Sequence, residues 1–199
     1  MKCVFIANSH SGKGRILKYK NYIISKLCEK YDEVIWKETE YAGHATELAK
    51  EYGNKCDYLL FSGGDGTLNE VVNGIFQNDV RPIIGQIPSG TTNDFSKSIG
   101  IKKNIKKSLK QLISASEQVI DIFRNNNKHG VYICGFGLFT RTSYVSSEKS
   151  KKYFGRLAYF FSGIKEIITY KPGSVQIVID EEIIDKNDDP NEGIGTEIL

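Results

Sequence analysis

The sequence predicts an α/β protein built around a parallel β-sheet. Short apolar runs typical of buried strands alternate with stretches of helical periodicity, and glycine-rich segments follow three of the predicted strands. The 199 residues are also enough to bury a core without disulfides or metals. In such a sheet the loops that follow the strands share one edge, and ligands bind there.

Four strands and four helices alternate in the first part of the chain. The strands are expected at residues 2–7, 34–37, 58–61 and 82–87, and the helices at residues 14–29, 43–52, 67–76 and 103–114. The predicted helices carry apolar residues at a spacing of three or four, which is typical of a helix that packs one face on a sheet.

The pattern changes after residue 117. Strands are expected at residues 118–124 and 131–136, and the turn-rich segment 125–130 between them makes the pair a candidate hairpin. A helix is expected at residues 155–170 and a strand at 175–179. We therefore predict an α/β domain over residues 1–120 and the start of a β-rich domain over residues 121–199.

The charge is unevenly distributed. Residues 180–199 carry eight acidic residues and one lysine, so a chain with net charge +3 has a body of net charge +10. Basic residues concentrate in two segments, residues 97–110 with six lysines and residues 149–156 with three lysines and an arginine. This charge indicates either an anionic partner (a phosphate, a membrane surface or a nucleic acid) or lysines that only maintain solubility.

The sequence also indicates a cytoplasmic protein. It contains no apolar run long enough to cross a membrane, and its N-terminal apolar segment is too short for a signal peptide. The four cysteines form no C-x-x-C pair, which favours reduced thiols over disulfides or a zinc site. The oligomeric state is left open, with a homodimer as one alternative.

The first candidate loop, NSHSGKG at residues 8–14, follows the first strand directly. Backbone N–H groups at a helix start bind anions, and glycine lets the chain approach them closely. A Walker A motif would need glycine at position 7 and serine or threonine at position 14, where the chain has Ala7 and Gly14. The loop is therefore either a different kind of phosphate loop, which His10 would also contact, or a plain turn.

The second candidate loop, SGGDGTLNE at residues 62–70, follows the third strand. It fails the dinucleotide pattern G-x-G-x-x-G because Asn69 stands at the third glycine position. Three glycines around one carboxylate at a helix start are typical of a phosphate site with Mg²⁺. For Thr67 and Glu70 the alternative is a capping box.

The third candidate loop, PSGTTNDF at residues 88–95, again combines glycine and hydroxyl side chains after a strand. Asp94 within it has the alternative of being an ordinary acidic residue at a helix start. Because all three loops are expected at the same edge of the sheet, together they predict a cradle for phosphate groups.

These motifs resemble the diacylglycerol kinase catalytic-domain family, which includes sphingosine and ceramide kinases. GGDGTLNEVVNGI (63–75) resembles the family's signature loop and helix, PSGTTNDF (88–95) its second signature, and NSHSGKGR (8–15) its first phosphate loop. T-x-x-x-G-H-A (39–45) resembles its adenine-side segment. The likeness extends over about residues 2–180 and points to the soluble bacterial lipid kinases, although Gly-Gly-Asp-Gly alone is shared with NAD kinases.

The resemblance implies a three-layer, Rossmann-like N-terminal domain and a β-sandwich, the latter incomplete in this chain, with ATP and Mg²⁺ bound between them. It places Mg²⁺ near Asp65 and in a water network with Asp121. The nucleotide-binding residues that it implies are Asn8, Ser9, His10, Ser11, Gly12, Thr39, Gly63, Gly64, Asp65, Gly66, Thr67, Leu68, Asn69 and Thr91.

The resemblance also implies a catalytic base in a late Asp-Gly-Glu segment, which this sequence lacks. We therefore expect a truncated chain, a shift of reading frame or loss of the family's base, and name no catalytic residue. Three interpretations stay open: an ATP-dependent kinase of diacylglycerol or a related lipid, an ATP-binding module without turnover, and a relative of NAD kinases. The missing segment favours the second over the first, and Asn-Asp-Phe (93–95) favours the first over the third.

A lipid substrate would come from a membrane. The two lysine-rich segments predict peripheral association with an anionic membrane surface. A nucleic-acid partner is not expected, because no nucleic-acid-binding signature accompanies the charge.

Overall fold

The computed structural model describes residues 1–133, 174–179 and 182–187. The chain divides into two compact units, Met1–Tyr132 and Ile133–Leu199. In the described ranges no helix is long and apolar enough to cross a membrane. The predicted helix 155–170 and the second lysine-rich segment lie outside the described residues, and the domain division at residue 120 stays a prediction.

Unit 1 contains a four-stranded parallel sheet with strand order β2-β1-β3-β4. Its strands are β1 (Lys2–Asn8), β2 (Glu33–Thr39), β3 (Tyr58–Gly63) and β4 (Ile83–Pro88). Asn8 pairs with Thr39 and Gly63 with Pro88 at the carboxyl ends. The prediction of a parallel α/β sheet is confirmed, and the loops that follow the strands lie at one edge.

Helices cover both faces of this sheet. They are α1 (Lys20–Cys28), α2 (His44–Gly53), α3 (Asp65–Ile75), α4 (Asp94–Ser98) and α5 (Ile105–Ser114). Apolar side chains of α2 and α3 form one buried cluster with the sheet, and those of α1 and α5 form a second. The fold therefore has the three layers that the family resemblance implies.

The apolar run of β1 explains its central position. Successive side chains of a strand point to opposite faces. Val4 and Ile6 accordingly pack in the α2–α3 cluster, while Cys3, Phe5 and Ala7 pack in the α1–α5 cluster. All five side chains are fully buried, as a parallel strand covered on both faces requires.

Helices α2 and α3 pack closely because α3 contains a glycine at their contact. A Cβ atom on Gly74 would lie 2.4 Å from the carbonyl oxygen of Thr46 and 2.6 Å from Cβ of Ala49. No real Cβ tolerates such distances, so a larger residue at this position would push the two helices apart and displace α3, whose first turn lies at the candidate site.

The predicted first helix, residues 14–29, is wrong in its first half. Ser11–Tyr19 forms a kinked 3₁₀-type segment, and regular α-helix begins only at Lys20. Gly12, Lys13 and Gly14 have φ angles of 59°, 60° and 67°. Three consecutive left-handed residues cannot belong to a right-handed helix.

The predicted hairpin exists but is shorter and shifted. Its strands are β5 (Phe123–Asn125) and β6 (Lys128–Gly130), which pair antiparallel around a two-residue turn. The segment predicted as the turn, 125–130, thus supplies the second strand. Residues 118–122 and 131–133 are not strand, and the rest of the predicted strand 131–136 lies outside the described residues.

In the second unit the described residues form one antiparallel hairpin. Its strands are β7 (Ser174–Ile179) and β8 (Glu182–Asn187). Strand β7 confirms the strand predicted at residues 175–179. Strand β8 lies within the acidic tail, where no strand was predicted.

Candidate functional site

Three loops meet at the carboxyl edge of the sheet: loop 1 (residues 8–14), loop 2 (residues 62–70) and loop 3 (residues 88–95). Ser89 in loop 3 links the other two, since its N–H donates to the carbonyl of Gly63 at 3.0 Å and its hydroxyl donates to that of Ser11 at 3.0 Å. The structure therefore brings together the three segments that the sequence singles out.

Asn8 orders loop 1 and ties it to loop 2. Its Oδ1 accepts hydrogen bonds from the N–H groups of His10 at 2.9 Å and Ser11 at 3.0 Å. Its Nδ2 donates to Oγ1 of Thr67 at 2.8 Å, and its N–H donates to Oγ of Ser62 at 3.2 Å. Both polar atoms of the Asn8 side chain are therefore used to hold loop 1 in shape and to attach it to loop 2.

Several of the loop glycines are required by contacts between the loops. A Cβ on Gly12, whose φ is also positive, would lie 2.5 Å from the carbonyl oxygen of Ser89. A Cβ on Gly90 would lie 2.5 Å from Cα of Gly64. On Gly63 it would overlap the Thr67 side chain at 2.3 Å. These glycines have a structural explanation that needs no ligand.

Gly66 has no such explanation. It lies exposed in the first turn of α3, its φ is not positive, and a Cβ there would meet nothing within 4 Å. Among the glycines of residues 1–133 it alone has neither a left-handed φ nor a close neighbour. Glycine in a helix costs stability relative to alanine. The position therefore points to an external group that needs the open space above the backbone.

The first turn of α3 also presents unpaired N–H groups. Within the described residues the N–H groups of Asp65, Gly66 and Thr67 have no acceptor. The N-cap residue is Gly64, which has no side chain that could cap them. These groups and the helix dipole favour a negatively charged oxygen at this end. This is the geometry that a phosphate group requires.

The proposed metal ligand Asp65 lies between loops 2 and 3. Its Oδ1 accepts the N–H of Phe95 at 3.3 Å and its Oδ2 accepts the hydroxyl of Thr92 at 3.1 Å. Each oxygen retains a free lone pair, and the side chain is half-exposed. One carboxylate beside phosphate oxygens and water suits Mg²⁺, so the residues present fit that ion.

Asp121 is not brought to this carboxylate by any described contact. It is exposed on the segment before β5 and makes no hydrogen bond or ion pair with the residues that the structure describes. Within residues 1–133 and the described strands of unit 2, no group of three or more His, Cys, Asp or Glu side chains is placed to hold a metal ion.

The end of β2 joins the site through loop 1. Oγ of Ser9 donates to the carbonyl of Thr39 at 2.7 Å, and His10 is exposed with its Nδ1 3.1 Å from the same Oγ. Thr39 is only 4% exposed. Beside it, hydrogen bonds from Lys20 and then Trp36 hold the pKa of Glu38 below its ordinary value.

Three further residues predicted to bind nucleotide, Leu68, Asn69 and Thr91, differ in their exposure and hydrogen bonds. Leu68 is buried in the α2–α3 cluster, so its side chain serves the core. Asn69 is exposed, and its Oδ1 accepts from Asn73 at 2.9 Å. Thr91 is exposed and makes no hydrogen bond with described residues, which leaves its hydroxyl available at the tip of loop 3.

The capping-box interpretation of Thr67 and Glu70 is wrong. Helix α3 begins at Asp65, two residues earlier than predicted, so Thr67 lies inside its first turn and accepts from Asn8. Glu70 instead accepts the N–H of Ala45 at 3.3 Å, in the first turn of α2. The two residues therefore link different elements.

Sequence reasoning missed the residues that hold loop 3 in place. Asn93 adopts a left-handed conformation with φ 52°, and its side chain both accepts from the Gly90 N–H and donates to the Gly90 carbonyl, each at 2.8 Å. Buried Gln86 donates to the carbonyl of Gly63 at 3.1 Å and accepts from Ser96 at 2.7 Å. A glutamine within an apolar strand was the available signal for this link.

A cavity of about 460 Å³ lies beside the loops, between α3 and the β5–β6 hairpin. Asn73 joins these two elements, since it exchanges hydrogen bonds with the backbone of His129 at 2.8 and 2.9 Å. The lining residues are Thr46, Asn69, Glu70, Asn73, Phe76, Gln77, Asn127, Lys128 and His129.

Comparison with known proteins agrees with this geometry. The family described as diacylglycerol kinase catalytic domain matches residues 2–125. The diacylglycerol kinase of Bacillus subtilis strain 168 is 36% identical over 180 residues, which cover 89% of this chain and 59% of that protein. The chain thus spans about 60% of that relative's length.

Solved structures give the same result. A crystal structure of a diacylglycerol kinase from Bacillus anthracis strain Sterne superposes with a TM-score of 0.72 at 26% identity, covering 94% of this chain and 61% of that one. A second B. anthracis structure, whose diacylglycerol kinase name is provisional, gives a TM-score of 0.75 at 27% identity, covering 94% and 62%. With the family match over its N-terminal unit, the chain belongs to the diacylglycerol kinase catalytic-domain family.

Proposed function

We propose that the protein is an ATP-dependent lipid kinase, which transfers the γ-phosphate of ATP to the hydroxyl of diacylglycerol or a related lipid. Family membership and the diacylglycerol kinase name of the B. subtilis relative support the reaction class. The proposal assigns nucleotide binding to the three loops.

The observation that carries the proposal is the open first turn of α3. Gly66 leaves room above three unpaired N–H groups, and neither the fold nor helix propensity favours glycine there. A phosphate group accounts for both features at once, because it uses the N–H groups and the space. Asn8 and Ser89 hold loops 1 and 3 around the same turn.

The chemistry asks mainly for positioning and charge neutralisation. In phosphoryl transfer the acceptor oxygen bonds to the γ-phosphorus, the bond from that phosphorus to the β,γ-bridging oxygen breaks, and the hydroxyl proton passes to a base. Asp65 would hold Mg²⁺, which neutralises phosphate charge when bound. The N–H groups of α3 would orient the phosphates. We assign the base to no described residue.

Two alternatives differ from this proposal in testable ways. An ATP-binding module without turnover predicts nucleotide binding without phosphate transfer. A nucleotide kinase related to NAD kinases would phosphorylate a soluble acceptor. The Asn-Asp-Phe segment (93–95) disfavours it, because that segment resembles the signature of the lipid-kinase branch.

The proposal is tested by incubating the chain with radiolabelled ATP and Mg²⁺, with diacylglycerol in mixed micelles or NAD as acceptor. Label in the lipid supports the proposal, label in NAD supports the nucleotide kinase, and ATP binding without either product supports the module. A chain that fails to bind ATP at millimolar concentration contradicts all three.

A further inference from the structure

Helix α5 presents a surface of a single charge sign. Between Phe95 and Ser116 the chain contains six lysines and no acidic residue. All six are exposed, and within the described residues only Lys97 forms an ion pair, with Asp94 at 3.2 Å. The other five are Lys102, Lys103, Lys106, Lys107 and Lys110. A surface that serves solubility alone normally mixes both signs.

The fold does not need these lysines. Helix α5 buries Ile105, Ser108 and Leu109 against the sheet, and its lysines occupy the positions between them on the outer side. Asn104 caps the helix by accepting the N–H of Lys107 at 3.1 Å through its side chain. Lys106 also lies over the ring of Tyr22 in α1, 5.2 Å from its centroid. The side chains of Lys102, Lys103, Lys107 and Lys110 make no such contact with described residues and are available to a partner.

An apolar tip adjoins the lysines. The link between α4 and α5 exposes 39% of Ile99 and part of Ile101, with Gly100 between them at φ 76°. Lys97 and Lys102 flank this link. Apolar side chains surrounded by lysines are typical of proteins that lie in a membrane interface, where the apolar groups enter the acyl boundary and the amines meet anionic headgroups.

The tip lies at the same edge of the sheet as the three loops. The C-terminal end of α5 is beside the starts of the strands, because Lys30 donates to the carbonyl of Ile113 at 2.9 Å and Tyr58, the first residue of β3, donates to Glu117 at 2.7 Å. The N-terminal end of α5 therefore points towards the opposite edge, where loop 3 leads through α4 into the tip.

We propose that the tip at residues 99–101 and the lysines that follow it, Lys102, Lys103, Lys106, Lys107 and Lys110, form a docking surface for an anionic membrane. It brings the candidate phosphate site to the lipid surface. The choice of a lipid partner rests on the proposed function, but the docking surface is measurable without nucleotide or turnover.

The test is sedimentation of the chain with vesicles of phosphatidylglycerol and phosphatidylcholine, or of phosphatidylcholine alone, without ATP. A lysine at an anionic surface strengthens binding about fivefold, so loss of two lysines weakens binding about 25-fold. Lys103→Glu with Lys107→Glu also reverses both charges and is expected to weaken binding by at least that factor. Glutamate at position 107 lies in the first helical turn, where the dipole favours it, so the fold is retained.

The matched control is Lys50→Glu with Lys55→Glu, which changes net charge equally at two exposed lysines in and after α2, on the other face of the sheet. We expect this control to weaken vesicle binding severalfold less than the α5 variant. Ile99→Ser is expected to weaken vesicle binding while leaving binding to heparin, a polyanion without an acyl phase, unchanged.

Equal losses in both charge variants, equal binding to the neutral and anionic vesicles, or tighter binding to duplex DNA than to anionic vesicles would overturn the proposal. Failure of the kinase assay with intact, α5-dependent vesicle binding would overturn the proposed function alone. If the chain phosphorylates lipid but Lys103→Glu with Lys107→Glu binds vesicles as tightly as wild type, the docking surface alone would be overturned.

Discussion

Asn8 donates a side-chain hydrogen bond to the hydroxyl of Thr67 at 2.8 Å, and this bond joins the end of β1 to the first turn of α3. The two residues are 59 positions apart in the sequence. The same asparagine accepts from two N–H groups of loop 1, so one side chain determines both the shape of that loop and its position beside α3.

We predict that this pair is energetically coupled. Thr67→Val keeps the shape of the buried side chain and removes one hydrogen bond, at an expected cost of about 0.5–1.5 kcal/mol, whereas Asn8→Ala also releases loop 1 and is expected to cost about 1–3 kcal/mol. Urea unfolding of both single variants and the double variant measures the coupling. Strictly additive costs would show that the bond contributes nothing.

Asp65→Asn separates the metal role of this residue from its structural role. An asparagine there can still accept the Phe95 N–H and can donate to the Thr92 hydroxyl, so the melting temperature is expected to change little. The loss of charge is expected to abolish the increase in ATP affinity that Mg²⁺ produces. Titration of ATP with Mg²⁺ and with EDTA measures this, and an unchanged Mg²⁺ effect would contradict the assignment.

Glu38 gives a pH dependence to the end of β2. Its pKa in the folded state is lowered, so its contribution is present above the ordinary value of 4.5 and is lost as the pH falls through the folded pKa. Because the pair with Lys20 is half-exposed, Glu38→Gln is expected to cost less than about 1 kcal/mol at pH 7.

The unfolding free energies of wild type and Glu38→Gln are therefore expected to converge on acidification below pH 4.5. Urea unfolding over a pH series measures the difference. A gap that stays constant or widens as the pH falls would show that the carboxylate form of Glu38 is not the stabilising one.

In the first predicted helix, the apolar periodicity of the sequence predicted which side chains are buried more accurately than it predicted the backbone conformation. Ile16 and Ile23 share one apolar face of the predicted helix 14–29, and both lie in the α1–α5 cluster, yet only Ile23 is in a regular helix. Loop 1 departs from helix because Gly12 passes the carbonyl of Ser89 in a left-handed conformation. That contact joins residues 77 positions apart, and local sequence cannot specify it.

The candidate site shows the same division. Its glycine-rich segments and strand ends were predictable, since strand-to-helix loops of a parallel sheet share an edge. The partner of Glu70 was not predictable, because a capping box involves only neighbouring residues, whereas Glu70 accepts a hydrogen bond from the N–H of Ala45 in α2. Likewise the two-residue turn at Asn126 and Asn127 brings the second strand of the hairpin closer to the first than predicted, in a segment that is rich in turn-forming residues throughout.

The central claim is that the open first turn of α3 binds phosphate, and Gly66→Ala tests it most directly. Alanine is a better helix former and meets nothing in the folded chain, so the unfolding free energy is expected to rise by up to about 1 kcal/mol. A methyl group in the space of a phosphate is expected to lower ATP affinity about tenfold or more.

The measurement is calorimetric titration of ATP with Mg²⁺ into wild type, Gly66→Ala and a control, Ser25→Ala, which changes an exposed residue of α1 that makes no hydrogen bond with described residues. The account predicts that Gly66→Ala is at least as stable as wild type and binds ATP more weakly, while Ser25→Ala binds ATP normally. Gly66→Ala with undiminished ATP affinity would contradict it.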